Sequence, residues 1–143
     1  MTERIETPQT HPIQVTEMVI GPEFIDSYGH VNYKAYFALL EPAQDQYIED
    51  RGLNGFDEIE RRFGLRSFVK KVELINNSEL LEGDKAVVTT SIGHIGNTSF
   101  SFIQSIALDG RNVADYTIVI VLTNEQGKAP IPNQLRDDLL RHI

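Results

Sequence analysis

"IDSYGHVNYKAYFALLEPA", residues 25–43, is the stretch on which the reading of this chain turns. Its first half crowds Asp26, Tyr28, Gly29, His30 and Asn32 together, and its second half opens an amphipathic helix. Tyr36, Leu40, Ala43 and Tyr47 recur at helical spacing, and Phe37, Leu39 and Ile48 widen the stripe. One face of a helix running from about Tyr33 to Gly52 is therefore apolar and needs a surface to cover it. Pro42 lies inside the pattern and cannot donate to the carbonyl of Ala38, so the helix is expected to bend there. A turn needs glycine, asparagine or aspartate for its backbone. It does not need a histidine and two tyrosines, and that surplus marks the stretch as a candidate reacting centre.

The covering surface is β. "IQVTEMVI" at 13–20 reads as a first strand closed by Gly21-Pro22. After a short helix, "FDEIERRF", ending at Gly64, come "LRSFVKKVELI", "KAVVTTSIGHI", "TSFSFIQSIAL" and "RNVADYTIVIVL". The last two are joined by Asp109-Gly110, whose residues tolerate positive φ. These four consecutive long strands predict an antiparallel meander. Gly93 and Gly96, inside β-rich sequence, fit a bulge or turn. In the last strand Tyr116, Ile118, Ile120 and Leu122 share one face while Val119 and Val121 lie on the other, which predicts a second covering layer supplied by another subunit. Asn133 is a plausible N-cap for a terminal helix. Residues 1–12 read as a flexible N-terminal arm and 13–143 as a single domain. The fold class is α+β, one long curved antiparallel sheet wrapped around one central helix.

The 143 residues carry a formal charge of -8, which argues against nucleic acid as the main partner, because duplex binding is driven by cationic neutralisation of phosphates. There are no cysteines, so disulfides, thiolate metal sites and a cysteine nucleophile are ruled out, in keeping with a cytoplasmic protein. The longest apolar run, "YTIVIVL", is far below the ~18 residues that span a bilayer, so no membrane partner is expected. His11, His30, His94 and His142 are scattered with no metal-ligand spacing, and Walker, GxGxxG and GxSxG patterns are absent. No metal or cofactor is expected.

Within the opening stretch each residue has an ordinary reading beside a chemical one. Asp26 is placed to serve as a turn or capping carboxylate. Gly29 suggests positive φ or close approach of another group. His30 could simply satisfy its ring nitrogens locally. Asn32 is well placed as an N-cap, accepting from the amide of Lys34 or Ala35. That cap leaves the Tyr33 amide free at the positive end of the helix, where a carbonyl oxygen would be polarised. A carboxylate nearby, Asp26, would supply the attack. Glu41 reads as an ordinary polar helix residue. The basic residues Arg61, Arg62, Arg66, Lys70 and Lys71 are either a solvated face or a seat for an anionic ligand's phosphates.

"DSYGHVNYKAYFALLE" resembles the D-x-x-G-H-V-N-N-x-x-Y segment of hotdog-fold acyl-CoA thioesterases of the 4-hydroxybenzoyl-CoA thioesterase type. The resemblance continues through "LLEGDKAVVTTSI", "GNTSFSFIQSI" and "APIPNQLRDDL", covering roughly residues 13–140. It implies a thioester hydrolase acting on acyl-CoA or acyl carrier protein as a homodimer or homotetramer. Asp26 matches the catalytic nucleophile or general base, Tyr33 the residue whose backbone N–H polarises the carbonyl, and His30 and Asn32 supporting groups. Gly29, Tyr28, Arg66, Lys70 and Lys71 are the candidate substrate contacts. In two places the chain departs from the pattern: Tyr33 replaces the usual second asparagine, and Gln44 stands where the family often carries an arginine. An enoyl-thioester hydratase or dehydratase, or a non-catalytic acyl-CoA binder of the same fold, are the rival readings.

Overall fold

The computed structural model describes residues 11–143, so the first ten residues of the expected arm lie outside the described residues. The arm's last two residues are docked: His11 Nδ1 lies 2.8 Å from the Ile92 carbonyl oxygen, and Pro12 is buried. The elements in order are β1 (Ile13–Val19), two 3-10 turns (Pro22–Phe24 and Tyr33–Ala35), α1 (Tyr36–Glu49), α2 (Phe56–Phe63), β2 (Arg66–Asn76), β3 (Lys85–Ile95), β4 (Ser99–Leu108), β5 (Arg111–Asn124), β6 (Gly127–Lys128) and α3 (Asn133–Leu139). Among the described residues no helix is long and apolar enough to cross a membrane.

The strands form one antiparallel sheet in the order β1-β3-β4-β5-β2, with β6 beside β5. This corrects the expected four-strand meander: only β3, β4 and β5 follow one another, and β2 lies at the far edge, paired with β5. The link from β2 to β3 has to cross one end of the sheet. Asn77 and Ser78 donate their amides to the Val113 carbonyl, Val31 donates to the Leu80 carbonyl, and Ile20 donates to the Asp84 carbonyl. The crossing segment thereby ties the start of β5, the loop residue before the helix cap and the end of β1 together.

α1 lies against the sheet on the stripe read from its spacing, burying Tyr36, Leu39, Leu40, Ala43, Gln44, Tyr47 and Ile48. Phe37 is the exception in the stripe, left 39% exposed at the helix edge. Facing the helix are Val88, Ile92, Phe100, Phe102, Ile106, Ile118 and Ile120, each at most 2% exposed. Pro42 is accommodated within the continuous helix on its solvent side, where only the Ala38 carbonyl loses its partner. The helix begins with a tighter 3-10 turn rather than as one α-helix from Tyr33.

A polar clamp sits inside this interface. Gln44 Nε2 donates to Gln104 Oε1 (2.9 Å), and Gln104 Nε2 donates to the Leu40 carbonyl (3.2 Å) and to Thr90 Oγ1 (3.1 Å). Gln44 thus forms with Gln104 a neutral amide pair joining α1 to β3 and β4. Buried amides tolerate such a place only when hydrogen-bonded, so the network also fixes the position of the helix on the sheet. At its far end α1 is held by Arg51, 1% exposed, whose guanidinium lies 3.6 Å over the Tyr47 ring and donates to the carbonyls of Arg141 and Tyr47 and to Gln14 Oε1.

Gly93 lies at the break in β3–β4 register between Ile92 and Ile95, in line with the bulge expected there. A Cβ at Gly93 would fall 2.3 Å from Ile103 Cδ1 and 2.9 Å from Ser101 Oγ, so close approach is the reason for glycine. Asn133 turns out to be the first residue of α3, preceded by Pro132, and its side chain makes no cap. The outer face of β5 also differs from expectation. Val121 is already buried within the chain at 4% exposure. Uncovered apolar surface lies instead on the two edge strands: Phe68, Val69, Val72 and Ile75 of β2 are 60%, 46%, 49% and 52% exposed, and Ile13, Val15 and Val19 of β1 are 64%, 59% and 61% exposed.

Candidate active site

The loop before α1 is built by its own backbone. An isolated bridge pairs Ile25 with Val31, Asp26 N–H donates to the His30 carbonyl (3.1 Å), and Gly29 N–H donates to the Asp26 carbonyl (3.0 Å). Gly29 has φ of +89°, a conformation costly for a side-chain-bearing residue, and a Cβ there would meet nothing within 4 Å. Glycine is required by the turn itself.

Both oxygens of the Asp26 carboxylate are oriented. Oδ1 accepts from the Tyr28 amide at 2.9 Å, the turn role anticipated for a loop aspartate, and Oδ2 accepts from Asn32 Nδ2 at 3.3 Å. Partial burial raises the Asp26 pKa, but the Tyr28 amide, the Asn32 side chain, the His30 backbone and the charge of His30 together outweigh it, leaving the carboxyl below its ordinary value. Asp26 makes no ion pair with a lysine or arginine among the described residues.

Asn32 also caps the helix, its Oδ1 accepting from Lys34 N–H at 2.8 Å. Ala35 N–H donates to the Asn32 carbonyl, and Tyr36 N–H to the Tyr33 carbonyl. The Tyr33 N–H has no acceptor among the described residues. One side chain thus connects the carboxylate to the helix end that carries a free donor.

His30 touches Asp26 through its backbone, and its ring acts on the carboxylate only at a distance, by its charge. Its Nε2 lies 3.6 Å from Glu79 Oε1, and the ring stacks on Tyr28 with centroids 6.3 Å apart. Tyr28 is 84% exposed. Asp26, Tyr28, Gly29, His30, Asn32 and Tyr33 are therefore brought together in one loop, whereas Arg66, Lys70 and Lys71 lie on β2. Arg66 is at the strand's opposite end from Asn76, the residue that accepts from Tyr36 Oη at 3.2 Å. It is paired with Glu60 at 3.0 Å and borders a cavity shared with Glu60 and Glu125, acidic surroundings that disfavour a phosphate. Lys70 sits at the β2–β5 register shift and Lys71 opposite Val119, and neither has an ion pair among the described residues.

A pocket of about 360 Å³ opens beside the helix start, between Tyr33, Lys34 and Phe37 on one side and Val69, Val72, Leu74 and Tyr116 on the other. Of these residues the sequence pointed to Tyr33 as a site residue and to Phe37 only as part of the helix's apolar stripe, and it gave no sign of Lys34, Val69, Val72, Leu74 or Tyr116. Tyr36, beside this pocket on the helix, is core, and Phe68 projects from the opposite face of β2. Nothing in the pattern of "YTIVIVL" distinguishes a pocket tyrosine from a core one. A second, smaller cavity is lined by His30, Val31, Asn76, Asn77, Ser78 and Glu79. Asp26 lines neither cavity in the single chain.

With this geometry in place, the chain can be set beside known proteins. The family model described as the thioesterase-like superfamily matches residues 20–139. The chain belongs to that superfamily. Solved structures share the fold: a 1,4-dihydroxy-2-naphthoyl-CoA thioesterase from Synechocystis is similar at TM-score 0.80 and 15% identity, covering 89% of this chain and 95% of that one. A gentisyl-coenzyme A thioesterase matches at 0.77 and 21%, covering 88% and 99%. A 4-hydroxybenzoyl CoA thioesterase mutant complexed with 4-hydroxybenzoyl CoA matches at 0.77 and 16%, covering 89% and 98%. These likenesses bear out the hotdog fold expected from the sequence. No curated protein matches the sequence.

Proposed function

We propose that this protein hydrolyses an acyl-CoA thioester to the free acid and the CoA thiol, with Asp26 as nucleophile or general base and the Tyr33 amide as oxyanion donor. The observation that carries the reading is the linkage through Asn32 of an ionised carboxylate to a helix start with a free N–H. As nucleophile, Asp26 adds to the thioester carbon, the C–S bond breaks, the thiolate leaves and takes a proton, and water then cleaves the mixed anhydride. As base, Asp26 takes a proton from water while the hydroxide adds, and the proton passes on to the departing thiolate. In both routes negative charge gathers on the carbonyl oxygen, where a fixed donor contributes most. The three solved neighbours named for CoA thioesters or their thioesterases support CoA as the thiol. Lys70 and Lys71 are the remaining candidates for its phosphates, with Tyr28 and Gly29 as contacts along the loop. A cysteine-free chain suits the cytoplasm.

The test is thiol release, followed with a trapping reagent across short, long, branched and aromatic acyl-CoAs. At least one is expected to release thiol in proportion to enzyme. A panel that binds without any release would leave a non-catalytic binder.

The working form we propose is a homo-oligomer assembled through the β2 edges, with residues 13–143 of each chain as one domain. β2 pairs on one side only, leaving edge backbone groups that a second copy's strand would pair, while its exposed Val69 and Val72 on one face and Phe68 and Ile75 on the other would be covered by the partner's flanking surfaces. The same strand supplies one wall of the pocket, so assembly and site depend on each other. Sedimentation velocity is expected to show a dimer or a multiple of it, shifting to monomer with Val72→Lys. A wild-type monomer at working concentrations would exclude the arrangement.

A further inference from the structure

The pocket at the start of α1 has Tyr33 and Lys34 on its helix side, a largely apolar wall opposite, and one polar group buried in that wall. Tyr116 is 2% exposed, and its hydroxyl is the one buried side-chain nitrogen or oxygen among the described residues that has no hydrogen-bond partner. Proteins rarely leave such an atom unpaired, because its lost hydration is not repaid. The neighbours across the sheet do not help: Leu74, opposite on β2, is apolar, and the Gln104 side chain, opposite on β4, is already engaged by Gln44, Leu40 and Thr90. Tyr116 lines the same cavity as Tyr33, whose amide is the proposed oxyanion donor, so an acyl group seated there would pass close to both.

We propose that Tyr116 is a specificity-determining residue, its hydroxyl hydrogen-bonding an oxygen, hydroxyl or keto, carried by the acyl group at a distance from the thioester carbonyl. The inference rests on the reading of this cavity as the acyl site. The ligand class it selects is an acyl thioester with an apolar body bearing one polar oxygen. Burial, and then the charge of Glu41, push the Tyr116 pKa up, so the phenol keeps its proton and can donate it to that oxygen. The surrounding Phe37, Val69, Val72 and Leu74 offer the rest of the acyl group only apolar contact. A site arranged in this way discriminates against the analogue lacking the oxygen, because the hydroxyl is then buried without a partner.

The test compares matched pairs of acyl-CoAs, each a hydroxylated or keto compound and its unsubstituted parent, aromatic and aliphatic. Binding is measured by calorimetry on the Asp26→Asn protein, with and without Tyr116→Phe, and kcat/KM on the proteins with native Asp26. At least one pair is expected to show a preference of roughly 10-fold or more for the oxygenated member, falling to within about 3-fold with Tyr116→Phe. Because the hydroxyl has no protein partner to lose, Tyr116→Phe should unfold at a urea concentration no lower than wild type. The proposal is overturned if no pair shows the preference, or if Tyr116→Phe keeps it. Failure of the hydrolase reading looks different: the binding preference and its loss persist while no thiol is released. Thiol release with a preference indifferent to Tyr116→Phe would leave the hydrolase reading standing and this inference refuted.

Discussion

Asp26→Asn is expected to lower kcat on any hydrolysed acyl-CoA by roughly 10²–10⁴-fold, the range over which removing a positioned acid or base acts. The amide keeps one oxygen for the Tyr28 N–H, so the loop can hold its shape while the basic oxygen is lost. Folding should therefore be nearly unaffected, as circular dichroism and a urea midpoint would show. Retention of near wild-type kcat would remove Asp26 from the chemistry. The pH dependence has a definite sign. The folded pKa of Asp26 lies below its ordinary 3.8, so the ionised, active form persists through neutral and mildly acidic conditions. The acid limb of kcat/KM due to this group should lie below that value, with activity falling as pH falls through it. Single-turnover hydrolysis in heavy-oxygen water that puts label into the Asp26 side chain would establish the nucleophilic route, with water attacking the aspartyl carbon of the mixed anhydride, since the general-base route leaves that carboxylate unlabelled.

The largest expected stability loss is at Phe102, fully buried beneath α1. Its ring meets Tyr47 edge-on at 5.7 Å and Phe100 edge-on at 5.7 Å. Tyr47 in turn donates its hydroxyl to the Leu139 carbonyl at 2.6 Å, so the aromatic cluster joins β4, α1 and α3. Phe102→Ala should cost about 3–5 kcal/mol, from lost transfer energy and from a cavity that three elements cannot easily close around. That is a large share of the ~5–15 kcal/mol stabilising a typical domain. Equilibrium urea unfolding measures it, and a loss below about 1 kcal/mol would mean that the cluster relaxes far more freely than its packing suggests.

The two halves of "IDSYGHVNYKAYFALLEPA" were legible to different depths. Helical spacing identified the buried face of α1 because burial follows period, and Leu39, Leu40, Tyr47 and Ile48 all point into the core. The cap at Asn32 was legible because it depends on neighbours in sequence. The place of β2 was not, since chain order says nothing of which edge a strand joins; that depends on the path of residues 77–84 across the sheet. His30 shows the same limit on a smaller scale. Its presence beside Asp26 was visible, but its ring lies toward Glu79, a partner distant in sequence. The pocket was the least legible feature. Tyr116 shares its face and spacing with the core residues Ile118 and Ile120, and only the missing partner of its hydroxyl sets it apart.

Asn32 has a further consequence, in the choice of side chain. Aspartate caps helices about as well as asparagine, so capping alone would accept either. Here the terminal amide faces two ways, its oxygen toward Lys34 N–H and its nitrogen toward Asp26, and a carboxylate would offer no proton to the second. It would also set one anion against another and make Asp26 harder to ionise. The cap is thus held by its second neighbour to a side chain that donates as well as accepts, which shuts out aspartate, and the requirement lies on the side facing the reaction, not on the side facing the helix.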